Sequence, residues 1–238
     1  MKPQSSATAK GNTVKNLILP TLRNYLLATV AFAIPVFISA WTLAYWQAWV
    51  FIVIVMLSLS VSVIYFSIKE PALVERRQEI SPRAEQSIAQ KIIISIALLG
   101  GIALLVFAGL DHRFGWSRLP AFVSVVGDGL VAFSFLVKYF VFRENSFAAS
   151  SIRTFEGQKV ISTGPYALVR HPQYVSDIIL FAGIPLALGS WWGLAFLALL
   201  IPLFALRILD EEKLLKKDLP GYTEYIRKVQ YRLVPYLW

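Results

Sequence analysis

Apolar residues in this chain come in long unbroken blocks, not in the spaced stripe of a soluble amphipathic helix. From Asn24 to Ile68 there is no Asp, Glu, Lys, Arg or His, a run of 45 residues. As a single helix it would be about 67 Å long, roughly twice the hydrocarbon thickness of a bilayer. It must fold back, and Ala44-Tyr45-Trp46-Gln47 is the natural reversal, because Trp and Tyr suit the membrane–water boundary. This predicts two spans, over about 22–43 and 47–68. Ile92–Leu110 is a third uncharged run, and Pro120–Phe142 a fourth, interrupted by Asp128 and Lys138. Ile178–Leu206 is a fifth, and its 29 residues would make a helix of about 43 Å, too long for one upright span. Gly189-Ser190 divides it, so the pattern predicts a tight helical hairpin over 174–208.

The expected fold is therefore an all-α integral membrane protein with six membrane-crossing segments, the last two a short hairpin. Composition agrees: 57% of the 238 residues are hydrophobic, 16% are charged, and the mean hydropathy is +0.61. If the N-terminus is cytoplasmic, the inner segments hold 20 of the 23 Lys and Arg residues, and the outer loops hold only Arg113 and Arg118. That asymmetry fits six spans with both termini cytoplasmic. It also accounts for the net charge of +9 through topology and anionic lipid, not nucleic acid. The absence of cysteine excludes disulfides, thiolate nucleophiles and Cys-ligated metals, and no metal site is expected.

Three regions follow. Residues 1–16 are polar and read as a flexible tail, 17–142 hold four transmembrane helices, and 143–238 hold a loop, the hairpin and a charged tail. Between the second and third spans, "EPALVERRQEISPRAEQ" is a charged loop in which Pro71 and Pro82 bracket a short surface helix. Chemistry that needs charged groups belongs in 143–173 and 207–238.

"ISTGPYALVRHPQYVSD", Ile161 to Asp177, carries one of the two histidines. Gly164-Pro165 is a turn signal. Pro172 suits the first turn of a helix, which puts His171 at or beside its N-cap. Free N–H groups, the helix dipole, Arg170 and His171 together would hold a carboxylate or phosphate at the membrane surface. An anchor for lipid headgroups is the plainer alternative. Hairpin arms of 18 residues each way from Gly189 bring Arg207 level with His171. In "RILDEEKLL", Arg207 and Glu211 are four apart and share one helix face, with Glu212 about 100° further round. The cluster could bind a zwitterion, or be only a surface ion pair worth little.

"EGQKVISTGPYALVRHPQY", a hairpin, "RILDEEKLL" and "LPGYTEYIRKVQYRLVP" together resemble the isoprenylcysteine carboxyl methyltransferase family and the related membrane phospholipid methyltransferases. The resemblance covers about residues 143–236. It implies S-adenosylmethionine-dependent methyl transfer to a lipophilic acceptor at the cytosolic face. It implies that Gly164, Tyr166, Val169, Arg170, His171, Tyr174 and Glu212 meet the cofactor. Arg207 and Glu211 would stand at the reaction centre, and Tyr222, Tyr225 and Arg232 would fold over the acceptor. Ser176 and Asp177 depart from the family, which often has glycine or alanine there. Arg207 could hold an acceptor carboxylate, as its fork suits planar anions. Glu211 could hold the cofactor's ammonium, or act as base on an amine acceptor.

Two other functions compete. Sterol- or steroid-type NADPH-dependent membrane reductases carry a similar Arg-His-Pro-x-Tyr segment, and would need further basic residues for a second phosphate. A non-enzymatic lipid-binding scaffold or transporter would need a polar path through the spans, where only Asp128 and Lys138 interrupt. Asp128 reads as structural or water-bound, Lys138 as a side chain reaching to the inner surface, and His112 as a solvated outer-loop residue. Trp191 and Trp192 should mark the hairpin tip at the outer interface, and Asn145 could approach the cofactor region.

Overall fold

The computed structural model describes residues 23, 26–78, 81–85 and 87–238. The expected tail over 1–16 and the start of the first span lie outside the described residues. Everything regular in the described residues is helical: α1 (Leu26–Ala40), α2 (Trp46–Lys69), α3 (Pro71–Gln78), α4 (Ile88–Phe114), α5 (Ala121–Glu144), α6 (Pro172–Ala187), α7 (Phe196–Asp218) and α8 (Tyr222–Lys228). Four stretches are long and apolar enough to cross a membrane: α2, α4, α5, and Trp192–Asp218, which adds a short 3-10 turn to the front of α7. α1 and α6 are shorter apolar helices. Val53, Leu57, Val61, Ile64 and Ile68 are each more than half exposed along α2. Their recurrence every three or four residues makes an apolar outer face that water would not support. The chain is a multi-pass membrane protein.

The first reversal comes slightly earlier than expected, at 41–45, with Trp46 and Gln47 already in α2. Its anchor is Tyr45, fully buried, whose hydroxyl donates to the Leu188 carbonyl at the hairpin tip. The third span is longer than its uncharged run, because α4 continues through Asp111 and His112 to Phe114. His112 is therefore not a loop residue. Its ring stacks on Tyr45 with centroids 3.7 Å apart. Asp111 is 1% exposed and accepts from Ser117 N (2.6 Å), Ser117 Oγ (2.7 Å) and Ser190 Oγ (2.5 Å). It ties the α4–α5 connection to the hairpin.

The hairpin turns where the sequence predicts, with Gly189 in the left-handed region at φ +71°, which glycine adopts without strain. Its arms are unequal, because α7 runs unbroken past Arg207 to Asp218. Exposed Trp191 and Trp192 cap the tip. α6 lies tightly on α5, since a Cβ on Gly127 would stand 2.1 Å from Ala187 N and one on Gly183 would stand 3.0 Å from Gly127 O. Small residues let the backbones close this far. Deeper along the same seam Lys138 Nζ meets Asp177 Oδ1 at 2.6 Å. Lys138 thus pairs across the helices and does not reach for the surface. Ser176 is fully buried and donates back to Gln173 O at 2.6 Å. The two family departures are accommodated by helix packing. Asp128, 5% exposed on α5, has no hydrogen-bond partner for either carboxylate oxygen among the described residues.

Candidate active site

The ends of α2, α4, α5, α6 and α7 away from the hairpin tip are joined by α3 and by the loop 145–171. The loop starts at Asn145, whose Oδ1 accepts from Phe147 N at 3.0 Å and whose Nδ2 donates to the Tyr166 hydroxyl at 3.1 Å. Gly164 has φ +56° and begins a 3-10 turn, Gly164–Ala167. Thr163 is hydrogen-bonded to Glu144. Burial pushes the Tyr166 hydroxyl up to about 12, the Asn145 bond opposing and the Glu211 charge assisting. Pro172 opens α6 with His171 at its N-cap, as the sequence predicts.

The anion that Arg170 and His171 were expected to hold belongs to the chain itself. Arg170 Nε donates to Glu212 Oε1 at 2.7 Å, His171 Nε2 lies 3.3 Å from the same oxygen, and Arg232 Nε reaches Oε2 at 3.2 Å. Arg170 also donates to the carbonyls of Val229 and Gln230, while Arg170 N and His171 N donate to those of Tyr231 and Arg232. Glu212 is 2% exposed. The knot fastens the tail after α8 to the Arg-His-Pro turn, and three cationic or dipolar partners compensate the buried charge.

Glu211 points the other way. Its one hydrogen bond among the described residues comes from the Tyr174 hydroxyl at 2.8 Å, and that oxygen in turn accepts from Arg207 Nε at 3.2 Å. No ion pair joins Arg207 to Glu211 despite their spacing. Arg207 is held from the other half of the chain: NH2 donates to Glu85 Oε1 at 2.6 Å and to Ser150 O at 2.9 Å, and NH1 to Gln90 Oε1 at 2.9 Å. All three of its guanidinium nitrogens thus have partners within the chain, although Arg207 also lines the cavity. Gln90 completes the link to α7 by donating to Asp210 at 2.7 Å. Glu85 Oε2 accepts from Ile152 N at 3.1 Å, which pins the loop.

Between these groups lies a cavity of 370 Å³, within the usual span of roughly 300–1,000 Å³ for small-molecule sites. Of the expected residues, Tyr166, Arg170, His171, Tyr174, Arg207 and Glu211 line it, with Tyr222 and Tyr225 over them. Gly164, Val169, Glu212 and Arg232 do not line it. Asn145 does. The membrane helices also line it, with Ile93, Ala97 and Leu98 of α4 and Leu180 and Phe181 of α6 apolar and Lys138 and Asp177 charged. Three buried polar atoms in lining residues lack a partner among the described residues: Ser151 Oγ, Arg153 Nε and the Tyr222 hydroxyl. Burial raises the Tyr222 hydroxyl, so it stays protonated and able to donate. Unmatched buried polar atoms are costly, and a polar ligand would satisfy them. No group of three or more His, Cys, Asp or Glu that could hold a metal occurs among the described residues.

Glu85, Gln90, Ser150, Ser151 and Arg153 escape a reading of the sequence. Glu85 stands among basic neighbours in a charged loop, and no spacing links it to a partner 122 residues away. Gln90, an amide at the head of a long apolar run, was the one available signal.

Residues 122–219 match the family model for phospholipid methyltransferase. The match takes in α5, the loop, the hairpin and α7 with Glu211. A second similarity is to the Delta(14)-sterol reductase TM7SF2 of Mus musculus, 32% identical over 94 residues, which is 37% of this chain and 22% of that protein. The chain thus spans under a quarter of the length of that relative.

Proposed function

We propose that the chain is an S-adenosylmethionine-dependent membrane methyltransferase acting on a lipophilic acceptor. The observation that carries this is one cavity with two characters. Its lining combines Glu211 and unsatisfied polar atoms with apolar side chains from membrane helices. A zwitterionic cofactor suits the first and a lipid the second, and the family match over 122–219 agrees. Bound there, S-adenosylmethionine supplies an electrophilic methyl group on a sulfonium. The chain's own part is alignment, because an in-line displacement depends on holding the reactants together. Glu211, oriented by Tyr174, holds the cofactor's ammonium. Tyr222 and Arg153 donate to its polar atoms, and the apolar side chains seat the acceptor and exclude water. A carboxylate acceptor needs no base; for an amine, Glu211 is the group within reach.

In this reading six segments cross the membrane, α1 and α6 being the short ones. Residues 17–142 form the membrane anchor and 143–238 the catalytic region, with both termini and the site on the cytosolic side. The charge asymmetry supports that orientation. The acceptor and surrounding membrane lipid are the expected partners, with no nucleic acid and no metal.

The test is calorimetric titration of S-adenosylhomocysteine into detergent-purified protein, with Glu211→Gln alongside. Micromolar binding, weakened tenfold or more in the variant, is expected. The similarity to a sterol reductase favours a second reading, an NADPH-dependent reductase, and Arg77, Arg153 and Lys159 on the cavity wall would suit its phosphate. Heat on titrating NADPH, with none for S-adenosylhomocysteine, would establish that reading instead.

A further inference from the structure

Spacing alone would pair Arg207 with Glu211, one turn apart on α7. The structure shows them unpaired, and the reason lies outside the region that matches the family. Glu85 is 4% exposed and meets Arg207 at 2.6 Å, while Gln90 takes a second guanidinium nitrogen. The Tyr174 hydroxyl accepts from Arg207 Nε and donates to Glu211. All three guanidinium nitrogens are therefore hydrogen-bonded within the chain, to Tyr174, Gln90, Glu85 and Ser150, and Glu211 keeps its carboxylate for another cation.

We infer that Glu85 is a positioning residue for the ligand site: by engaging Arg207 it keeps Glu211 open to the ammonium group of an amino-acid-bearing ligand. This rests on the proposed methyltransferase reading. Replacing Glu85 by a neutral side chain leaves Arg207 buried without its counter-charge. Glu211 is the other carboxylate whose charge acts on Arg207, so the ligand's ammonium loses its partner to an internal ion pair. A structural role for Glu85 would lower stability without making its effect depend on Glu211, whereas a positioning role makes the two substitutions non-additive.

The experiment is a double-mutant cycle on the full-length protein in detergent, titrated with S-adenosylhomocysteine and with thermal unfolding recorded for each variant. Glu85→Gln should weaken binding about tenfold, as expected for a lost charge-assisted contact. Glu85→Gln added to Glu211→Gln should weaken it no further, and Glu85→Asp, which keeps the charge, should restore most of the affinity. Should Glu85→Gln not fold, Gln90→Met loosens the same guanidinium and should show the same dependence on Glu211 with a smaller loss. Wild-type affinity in folded Glu85→Gln, or losses that simply add, would overturn the inference alone. No binding by the wild-type protein would overturn the methyltransferase reading and this inference with it.

Discussion

The Tyr174 hydroxyl donates to Glu211 at 2.8 Å across the gap between α6 and α7. Tyr174 is itself 7% exposed, and its oxygen accepts from Arg207 on the other side. The carboxylate therefore has a fixed direction before any ligand arrives. Tyr174→Phe removes the hydroxyl and keeps the ring. Hydrogen bonds to charged groups are worth about 1.5–3 kcal/mol, so the affinity for S-adenosylhomocysteine should fall by roughly tenfold or more. Calorimetry measures this, and circular dichroism should show unchanged helix content.

Glu211 and Glu212 are adjacent but serve different ends. Glu212 is enclosed by Arg170, His171 and Arg232. Glu211 lines the cavity with a single hydrogen bond among the described residues. Breaking a buried pair by removing one partner is destabilising by about 3–5 kcal/mol. Glu212→Gln should lower the thermal midpoint in detergent markedly and loosen the tail to proteolysis. Glu211→Gln should leave the midpoint near wild type and weaken ligand binding by tenfold or more, to an affinity still measurable. Reversal of that order would mean the two roles are exchanged.

The Lys138–Asp177 pair sits on the α5–α6 seam, both side chains less than a fifth exposed. Either partner alone would be a charge stranded between helices. Lys138→Met and Asp177→Leu should each destabilise by several kcal/mol, about 3–5 by the general cost of an orphaned buried charge. The double variant should recover most of the loss, since an apolar pair fills the same space. Thermal unfolding of the three variants in one detergent decides it.

Tyr166 gives a pH prediction. Its hydroxyl is pushed up to about 12 from 10.0, chiefly by burial. The folded state therefore favours the neutral form, and the stability this contributes is full below pH 10 and is lost as pH rises from about 10 to 12. Tyr222 and Tyr225 are shifted the same way by burial. The unfolding midpoint should fall over that window, and Tyr166→Phe should make the fall shallower.

The sequence makes the helices legible because membrane thickness sets their length: uncharged runs map onto α2, α4 and α5, and Gly189 marks the hairpin turn. Their ends were less legible. Asp111 and His112 look like loop residues by charge, yet hydrogen bonds and stacking draw them into α4. In the site, Pro172 and His171 fall where local rules place them. Side-chain partners do not follow local rules. Arg170 and His171 are donors in search of an anion, and nothing in their neighbourhood says it would be Glu212, about forty residues on. Arg207 and Glu211 have the spacing of a pair, and tertiary contacts with Glu85 and Gln90 override it.

The clasp between Arg207 and Glu85 spans 122 residues of chain. Its two halves flank α4, α5 and the α6 arm of the hairpin, and the long apolar helices between them must enter the bilayer before the halves can meet. Assembly order thus acts as a safeguard. A chain arrested partway through insertion has helices in the lipid but no anchored Arg207 and no oriented Glu211. An ordered cavity becomes a report that insertion is complete.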